Sequence, residues 1–197
     1  MRLFLAIELP IPLRESLSRF IDTVKGAPGM GDREAGRARW ARADGMHLTL
    51  KFLGETDRTH AGSIVAHLSE RTTGMFSGMT LRVGGVGKFP ARGRPRVLWV
   101  GVAEESGPEN PGRLARLHAI VEEGCAEGGF PREERPFHPH ITLARLADGP
   151  PPEGLDRILS DYRSAEFGRF TAESLTLFQS ILSPKGAEYR SMEAVDL

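Results

Sequence analysis

The chain has 197 residues, with 26 basic and 26 acidic side chains, a 40% apolar share and one cysteine. Its length suffices for one or two domains with a substantial core. The net charge of zero argues against a protein that coats nucleic acid through bulk electrostatics, although a local basic rim stays compatible with it. The lone Cys125 excludes a disulfide framework within the chain and a zinc site built from cysteines, and it suits a reducing compartment.

Neither a membrane span nor a secretion signal is visible in the sequence. No apolar run approaches the roughly 20 residues that cross a bilayer. Residues 1–10 hold only a short apolar stretch that ends in Glu8 and Pro10, whereas a signal peptide needs a longer apolar region and a cleavage site of small residues. We therefore expect a cytoplasmic protein.

Apolar spacing predicts the same order of elements in both halves of the chain, namely strand, helix, histidine-containing strand, helix and strand. In the first half the predicted elements are strand 3–8, helix 12–25, strand 46–55, helix 57–72 and strand 79–89. In the second half they are strand 96–102, helix 110–126, strand 140–146, a short helix within 151–162, and strands 171–182 and 187–196. The glycine-rich segment 26–37 is predicted to be a mobile loop.

This duplicated order predicts an α+β fold with two pseudo-symmetric lobes. Each lobe is expected to be an antiparallel or mixed sheet with helices on its outer face, and an active-site cleft is expected between the sheets. The halves span approximately 1–95 and 96–197. Because no long linker separates them, we expect a single bilobal domain over 1–197. Whether the lobes exchange their terminal strands is left open by the sequence.

The strongest chemical signal is a repeated His-x-Thr-Leu motif, at 47–50 and again at 140–143. Side chains alternate between the faces of a strand, so the histidine and threonine of each copy are expected on one face and its apolar residues on the other, against the helices. The same alternation places Lys51 with the first histidine and Phe52 with the buried residues. If the lobes face each other across the cleft, two imidazoles and two hydroxyls converge there.

Two imidazoles and two hydroxyls around one phosphate suit an in-line displacement at phosphorus. Near neutral pH one histidine can be neutral and accept a proton from the attacking hydroxyl, while the other is charged and protonates the departing oxygen. The threonine hydroxyls can donate hydrogen bonds to the non-bridging oxygens, where negative charge accumulates. The scheme needs no metal and no cofactor, and the spacing alone does not decide which histidine is the acid.

Several stretches together resemble the 2H phosphoesterase superfamily, specifically its RNA 2′,3′-cyclic phosphodiesterase branch, which is also called the 2′-5′ RNA ligase family. They are RLFLAIELP at the start, MHLTLKFLGE, PRVLWVGV, FHPHITLAR and the terminal strand pair. The resemblance implies hydrolysis of a terminal 2′,3′-cyclic phosphate of RNA to a 2′-phosphate. It implies that His47 donates a proton to the departing 3′ oxygen and that His140 accepts a proton from water. Thr49 and Thr142 match the family's phosphate-holding hydroxyls.

A further family position, associated with the phosphate, matches Arg145. By alternation from His140, however, Arg145 points away from the site on a straight strand. Two interpretations follow. Either the strand bulges or twists near Ala144, or Arg145 is a surface residue.

A basic segment, 88–96, carries Arg92 and Arg94 and no acidic residue. Together with Phe89 it is a candidate RNA contact at the mouth of the cleft, although clusters of this kind are more often solvated loops. A second basic cluster, within 33–42, is diluted by an acidic residue. Trp40 is another aromatic residue that could stack on a nucleobase, with core packing as its more common role.

Three alternatives stand beside the favoured interpretation, which is a monomeric, metal-independent enzyme that acts on RNA with a 2′,3′-cyclic phosphate end and has no obligate protein partner. One is the reverse reaction, in which the same two histidines join RNA halves through a 2′-5′ bond. Another is a small-molecule cyclic phosphate, such as an ADP-ribose derivative, as the substrate. The last is a module that binds RNA without turnover.

Overall fold

The computed structural model describes residues 1–30, 38–105, 111–183 and 186–197. Its helices are α1 (Ile11–Lys25), α2 (Arg58–Thr72), α3 (Arg113–Glu127) and α4 (Leu155–Asp161), with a 3₁₀ turn at Ala43–Gly45. Its strands are β1 (Arg2–Glu8), β2 (Ala38–Trp40), β3 (His47–Glu55), β4 (Met79–Phe89), β5 (Val97–Glu104), β6 (His140–Leu146), β7 (Glu166–Ala172), β8 (Ser174–Ser183) and β9 (Gly186–Asp196). No helix in these described stretches is long and apolar enough to cross a membrane.

Part of the predicted mobile loop, 31–37, lies outside the described residues, and so does part of the second basic cluster. The strands form two antiparallel sheets, one with the order β3-β1-β8-β9 and the other with the order β2-β6-β5-β4-β7. Helices α2 and α3 pack against the first sheet, and α1 and α4 pack against the second. Apolar residues of all four helices share one core with both sheets. The predicted α+β fold, with two antiparallel sheets and helices outside them, is confirmed.

The strands do not sort by sequence half. Strand β4, from the first half, lies in the sheet that holds His140, whereas β8 and β9, from the end of the chain, complete the sheet that holds His47. Only Glu173 separates β7 from β8, so the chain passes from one sheet to the other within one residue. The strand predicted over 171–182 therefore joins the last two residues of β7 to β8. The switch is marked by a one-residue shift in the buried positions, from Phe170 and Ala172 to Leu175 and Leu177.

The helices follow their predicted spacing. In α1 the buried residues Leu13, Leu17 and Ile21 recur on one face. Pro12 lies in the first turn, where a missing backbone N–H costs no helical hydrogen bond. The carboxylate of Asp57 caps α2 by accepting a hydrogen bond from the backbone N–H of His60 at 2.8 Å.

Candidate active site

A β-bulge in β3 decides which of its side chains face the cleft. Thr49 pairs with Ala6 of β1, and Lys51 pairs with the adjacent Leu5, so Leu50 is the extra residue. Leu50 and Lys51 therefore both point toward the helices, where they are 4% and 5% exposed. Beyond the bulge the alternation resumes with its faces exchanged.

This bulge corrects two expectations drawn from strict alternation. Lys51 does not face the cleft, because its ammonium group donates hydrogen bonds to the carboxylate of Glu122 at 2.8 Å and to the carbonyl of Pro131 at 2.6 Å. Phe52 is not buried against the helices. It is 63% exposed, and its ring centroid lies 5.9 Å from that of Phe4.

Strand β6 carries a bulge at the same position of its motif. Thr142 and Ala144 pair with consecutive residues of β5, so Leu143, which lies between them, is the extra residue. Leu143 and Ala144 are both fully buried. Arg145 is thereby returned to the face that carries Thr142. Of the two interpretations of Arg145, the structure shows the bulged strand.

His47 lies at the start of β3 on a bed of aromatic rings. Its ring centroid is 4.7 Å from that of Phe4, 5.9 Å from that of Phe178 and 4.9 Å from that of Tyr189, which meets it edge-on. Burial in this setting lowers the pKa of His47 from 6.5 to about 4. A hydrogen bond from the imidazole to the carbonyl of Gly45 opposes this shift without reversing it.

His140, at the start of β6, has a corresponding environment. Its Nδ1 lies 2.7 Å from the carbonyl oxygen of His138. Because a carbonyl only accepts hydrogen bonds, Nδ1 carries the proton and Nε2 is left for a substrate. The ring of Phe89 lies edge-on at 4.9 Å and that of Trp99 at 6.3 Å. Burial lowers the pKa of His140, and the bond to His138 offsets only part of that effect.

The structure brings the two motifs together across the cleft. Strands β3 and β6 are in contact, although they belong to different sheets. Positive charge on Arg145 and on His140 disfavours protonation of His47, and Arg145 acts on His140 in the same way. The three groups therefore lie within electrostatic reach of one another. A cation beside two imidazoles is a setting that attracts an anion, and a bound anion favours protonation of both rings.

Thr49 and Thr142 lie half-buried on the same cleft faces as the two histidines, where their hydroxyls can donate to an anion between the imidazoles. Each bulge places two consecutive residues on the buried face, and the resemblance between the two motifs ends at the residue that follows them. There the first lobe presents Phe52 and the second presents Arg145. Of these two equivalent positions, the one on β6 carries the cationic group.

The candidate RNA contacts lie at the end of β4 and on the connection from β4 to β5. Phe89 packs against the imidazole of β6 at 4.9 Å, and Arg92 is exposed on the connection that follows. Arg94 forms an ion pair with Asp148 at 3.3 Å, so part of its charge is already neutralised within the protein. The connection therefore adds an aromatic ring and a partly compensated basic rim.

Trp40 lies on the other side of the sheet. It pairs with Ala144, a buried residue of the helix-covered face, and packs against the core. The ammonium group of Lys25, at the end of α1, lies 5.8 Å from its ring centroid. We therefore assign Trp40 to core packing and not to RNA contact.

Sequence reasoning missed the aromatic bed of the first histidine, since its three rings come from β1, β8 and β9 and follow no common motif. One of them, Tyr189, also borders a pocket of about 280 Å³ beside the first motif. The pocket is lined by Arg42, Asp44, Gly45, Ala187, Glu188 and Tyr189. Among the residues that the structure describes, no group of three His, Cys, Asp or Glu lies close enough to hold a metal ion.

Comparison with known proteins identifies the family. The chain matches the 2′-5′ RNA ligase superfamily over residues 13–181. It is 34% identical over 196 residues to an RNA 2′,3′-cyclic phosphodiesterase of Archaeoglobus fulgidus, with 100% of both chains covered. The chain therefore belongs to the 2′-5′ RNA ligase superfamily, and the resemblance carried by its motifs is confirmed.

Solved structures agree with this assignment. The fold is similar to that of TT0787 of Thermus thermophilus, with a TM-score of 0.74, 29% identity, and 100% of this chain and 98% of that chain covered. It is also similar to Escherichia coli LigT complexed with 3′-AMP, with a TM-score of 0.71, 26% identity, and coverage of 100% and 97%. The likeness extends over both sheets, so it includes the cleft.

Proposed function

We propose that this protein is an RNA 2′,3′-cyclic phosphodiesterase that hydrolyses the cyclic phosphate at an RNA end to a 2′-phosphomonoester. The observation that carries the proposal is the contact between β3 and β6, the strands that begin with His47 and His140. The bulge in β6 turns Arg145 to the face that carries Thr142, close enough to both imidazoles to disfavour their protonation. The imidazole of His140 is hydrogen-bonded through Nδ1 to the carbonyl of His138, two residues before it. A relative along the whole chain bears the name of this activity, and a similar structure holds 3′-AMP.

In the proposed reaction, Nε2 of His140 takes a proton from a water molecule, whose oxygen attacks phosphorus in line with the P–O3′ bond. That bond breaks, and Nε2 of His47 gives its proton to the departing 3′ oxygen. The product carries a 2′-phosphate and a 3′-hydroxyl. His47 is left neutral and His140 charged, and proton exchange with water restores the starting states.

The remaining polar groups of the site hold the phosphate during this step. The hydroxyls of Thr49 and Thr142 donate hydrogen bonds to the non-bridging oxygens, which become more negative as water attacks. The guanidinium fork of Arg145 matches the geometry of two phosphate oxygens. None of these interactions requires a metal ion.

The environments of the two histidines support the roles that the family resemblance implies. Burial among aromatic rings disfavours the charged form of His47, so once a bound phosphate has brought about its protonation, the ring readily passes the proton to an alkoxide. The Nδ1–H of His140 is held by a carbonyl, which leaves the lone pair of Nε2 to accept a proton from water.

We expect the kcat/KM for hydrolysis to depend on pH as a bell-shaped curve with its maximum at acidic pH. The charged form of His47 is lost as the pH rises through its pKa of about 4. The neutral form of His140 is lost as the pH falls through its own pKa, which burial lowers from 6.5. Because kcat/KM reports the free enzyme, its maximum is expected between these limits. The bound phosphate anion raises both pKa values, so kcat is expected to peak at higher pH. Initial rates across the acidic and neutral range check this, and a kcat/KM maximum above pH 6.5 contradicts it.

End-group analysis of the product tests the proposed function. Purified protein is incubated with EDTA and an RNA oligonucleotide that ends in a 2′,3′-cyclic phosphate, and we expect a product with a 2′-phosphate end. A 3′-phosphate contradicts the assigned leaving group. Activity that disappears with EDTA and returns with a divalent ion contradicts the metal-independent mechanism. RNA that is bound and never converted indicates a binding module.

The same assay separates the related chemistries. An added RNA with a 5′-hydroxyl competes with water for the cyclic phosphate, and a joined product with a 2′-5′ bond shows the reverse reaction. Because water is far more concentrated, hydrolysis is the expected net direction. An ADP-ribose cyclic phosphate that is converted faster than the RNA end shows a small-molecule substrate.

We further propose that the enzyme is a cytoplasmic monomer. Both motifs and both sheets come from one chain, so a second copy is not needed to complete the site. Burial raises the pKa of the Cys125 thiol to about 12, which keeps it protonated and unreactive and suits a reducing compartment. Light scattering on the purified protein tests the oligomeric state, and a mass of two chains contradicts the monomer.

A further inference from the structure

Arg39 lies beside Arg145 at the mouth of the candidate active site. The two residues are register partners in the antiparallel pair β2–β6. Partners of this kind project to the same face of a sheet, with Cα atoms about 4.5–5.5 Å apart. Since the bulge at Leu143 turns Arg145 toward the cleft, Arg39 faces the cleft as well, and it is exposed there.

The neighbouring residue of β2 supports this orientation independently. Trp40 pairs with Ala144, which is fully buried under the helices, and Lys25 of α1 lies over its ring. Trp40 therefore faces the helix side. Because consecutive residues of a strand point to opposite faces, Arg39 faces the cleft.

The two neighbouring arginines repel each other, and a bound anion would relieve this repulsion. Like charges directly opposite each other on neighbouring strands are destabilising. Arg39 and Arg145 both carry a cationic guanidinium group, so the two side chains repel each other. Phosphate oxygens beside both groups replace this repulsion with charge-assisted hydrogen bonds.

The same row of the sheet ends in an aromatic ring. Val97 of β5 also pairs with Arg145, and Phe89 of β4 pairs with Val97. One line thus crosses the cleft face of the second sheet: Phe89, Val97, Arg145 and Arg39. A ring on which a base can stack and two adjacent phosphate-binding groups are the chemistry that a nucleic-acid strand requires.

We propose that Arg39 binds the internucleotide phosphate that precedes the terminal nucleotide, while Arg145 holds the cyclic phosphate itself. Because Arg39 and Arg145 are register partners on neighbouring strands, their long side chains extend side by side and can each reach one of two successive phosphates. The site thereby selects RNA ends of two or more nucleotides over cyclic mononucleotides. This assignment rests on the proposed function and names the feature of the substrate that the site reads.

The test compares kcat/KM for three substrates: adenosine 2′,3′-cyclic phosphate, the dinucleotide ApA with a 2′,3′-cyclic phosphate end, and the same dinucleotide with an uncharged methylphosphonate linkage. The native protein is expected to prefer the phosphate-linked dinucleotide and to lose most of this preference with the methylphosphonate. Arg39→Gln is expected to lower the ratio of dinucleotide to mononucleotide kcat/KM about tenfold, the effect of losing one charge-assisted hydrogen bond. Arg116→Gln, on the exposed side of α3, makes the same charge change away from the cleft and should leave the ratio at its native value.

A ratio that is equal in Arg39→Gln and the native protein overturns the proposal, and so does a methylphosphonate that is hydrolysed as well as the phosphate-linked dinucleotide. Circular dichroism checks the fold of the variant, and if it is poorly folded the methylphosphonate comparison on the native protein still decides. A native protein that hydrolyses none of the three substrates refutes the proposed function. A native protein that hydrolyses them without preference refutes the role of Arg39 alone.

Discussion

Replacement of either cleft histidine, by His47→Ala or His140→Ala, is expected to lower kcat about 10²–10⁴-fold, because each removes one proton transfer from the rate-determining displacement. The double variant is expected to be little worse than the slower single variant, since both groups act in the same step. Single-turnover hydrolysis of an RNA with a 2′,3′-cyclic phosphate end measures these effects. Affinity for that RNA should change far less, because Arg145 and the threonines remain.

His67→Ala is the matched control for these variants. His67 is a half-exposed histidine on α2, where it pairs with Glu127 at 2.7 Å on the outer side of the protein. Its replacement is expected to leave kcat near the native value. If the kcat of His47→Ala or of His140→Ala equals that of His67→Ala, the replaced histidine has no acid–base role. That result contradicts the proposed mechanism.

Lys51→Met is expected to have the largest effect on stability. The side chain of Lys51 is 5% exposed, and its ammonium group lies 2.8 Å from the carboxylate of Glu122. That carboxylate also accepts a hydrogen bond from the backbone N–H of Glu133 at 3.1 Å. Removing the lysine leaves a buried carboxylate without its cation, a change that costs about 3–5 kcal/mol in comparable pairs. Urea unfolding at neutral pH measures the free energy of unfolding.

Two further variants sharpen this prediction. Lys51→Met combined with Glu122→Gln removes both charges and keeps an acceptor for Glu133, so it should recover most of the lost stability. Lys25→Met removes an exposed pair with Asp22 and the contact of the ammonium group with the Trp40 ring. Exposed interactions of these two kinds each contribute about 0–1 kcal/mol. A Lys51→Met protein that is no less stable than Lys25→Met contradicts the structural role of the buried pair.

The buried pair also connects the two motifs. Lys51 follows the bulge of β3, and its second hydrogen bond, to the carbonyl of Pro131, holds the start of the segment that leads into β6. We therefore expect the position of His140 to depend in part on Lys51, a residue in the strand of His47. A loss of activity in Lys51→Met at temperatures where the protein is folded is the expected sign of this connection.

The sequence predicts the face of both motif histidines and threonines correctly, because these residues precede the bulges. Beyond Leu50 and Leu143 strict alternation gives the opposite face for each residue. It misplaces Lys51 and Phe52, and it leaves Arg145 ambiguous. A bulge is set by the register with a partner strand, here β1 or β5, and that register depends on contacts distant in sequence.

The missing parts of the site have the same cause. Strand β2 has three residues, too few for a periodic pattern, and only its pairing with β6 gives Arg39 a place beside Arg145. The aromatic bed of His47 comes from three strands at the two ends of the chain. The switch from β7 to β8 at Glu173 shifts the alternation by one residue, but that shift alone does not show that the chain enters the other sheet. Each of these features follows from long-range pairing rather than from local pattern.

A crystal structure of the protein with 2′-AMP, the product of hydrolysis of the adenosine cyclic phosphate, tests most directly whether the two motifs share one phosphate. We predict a single phosphate group with Nε2 of His47 and Nε2 of His140 each about 2.7–3.2 Å from one of its oxygens. A phosphate that contacts only one of the two imidazoles, or that binds outside the cleft, contradicts the account.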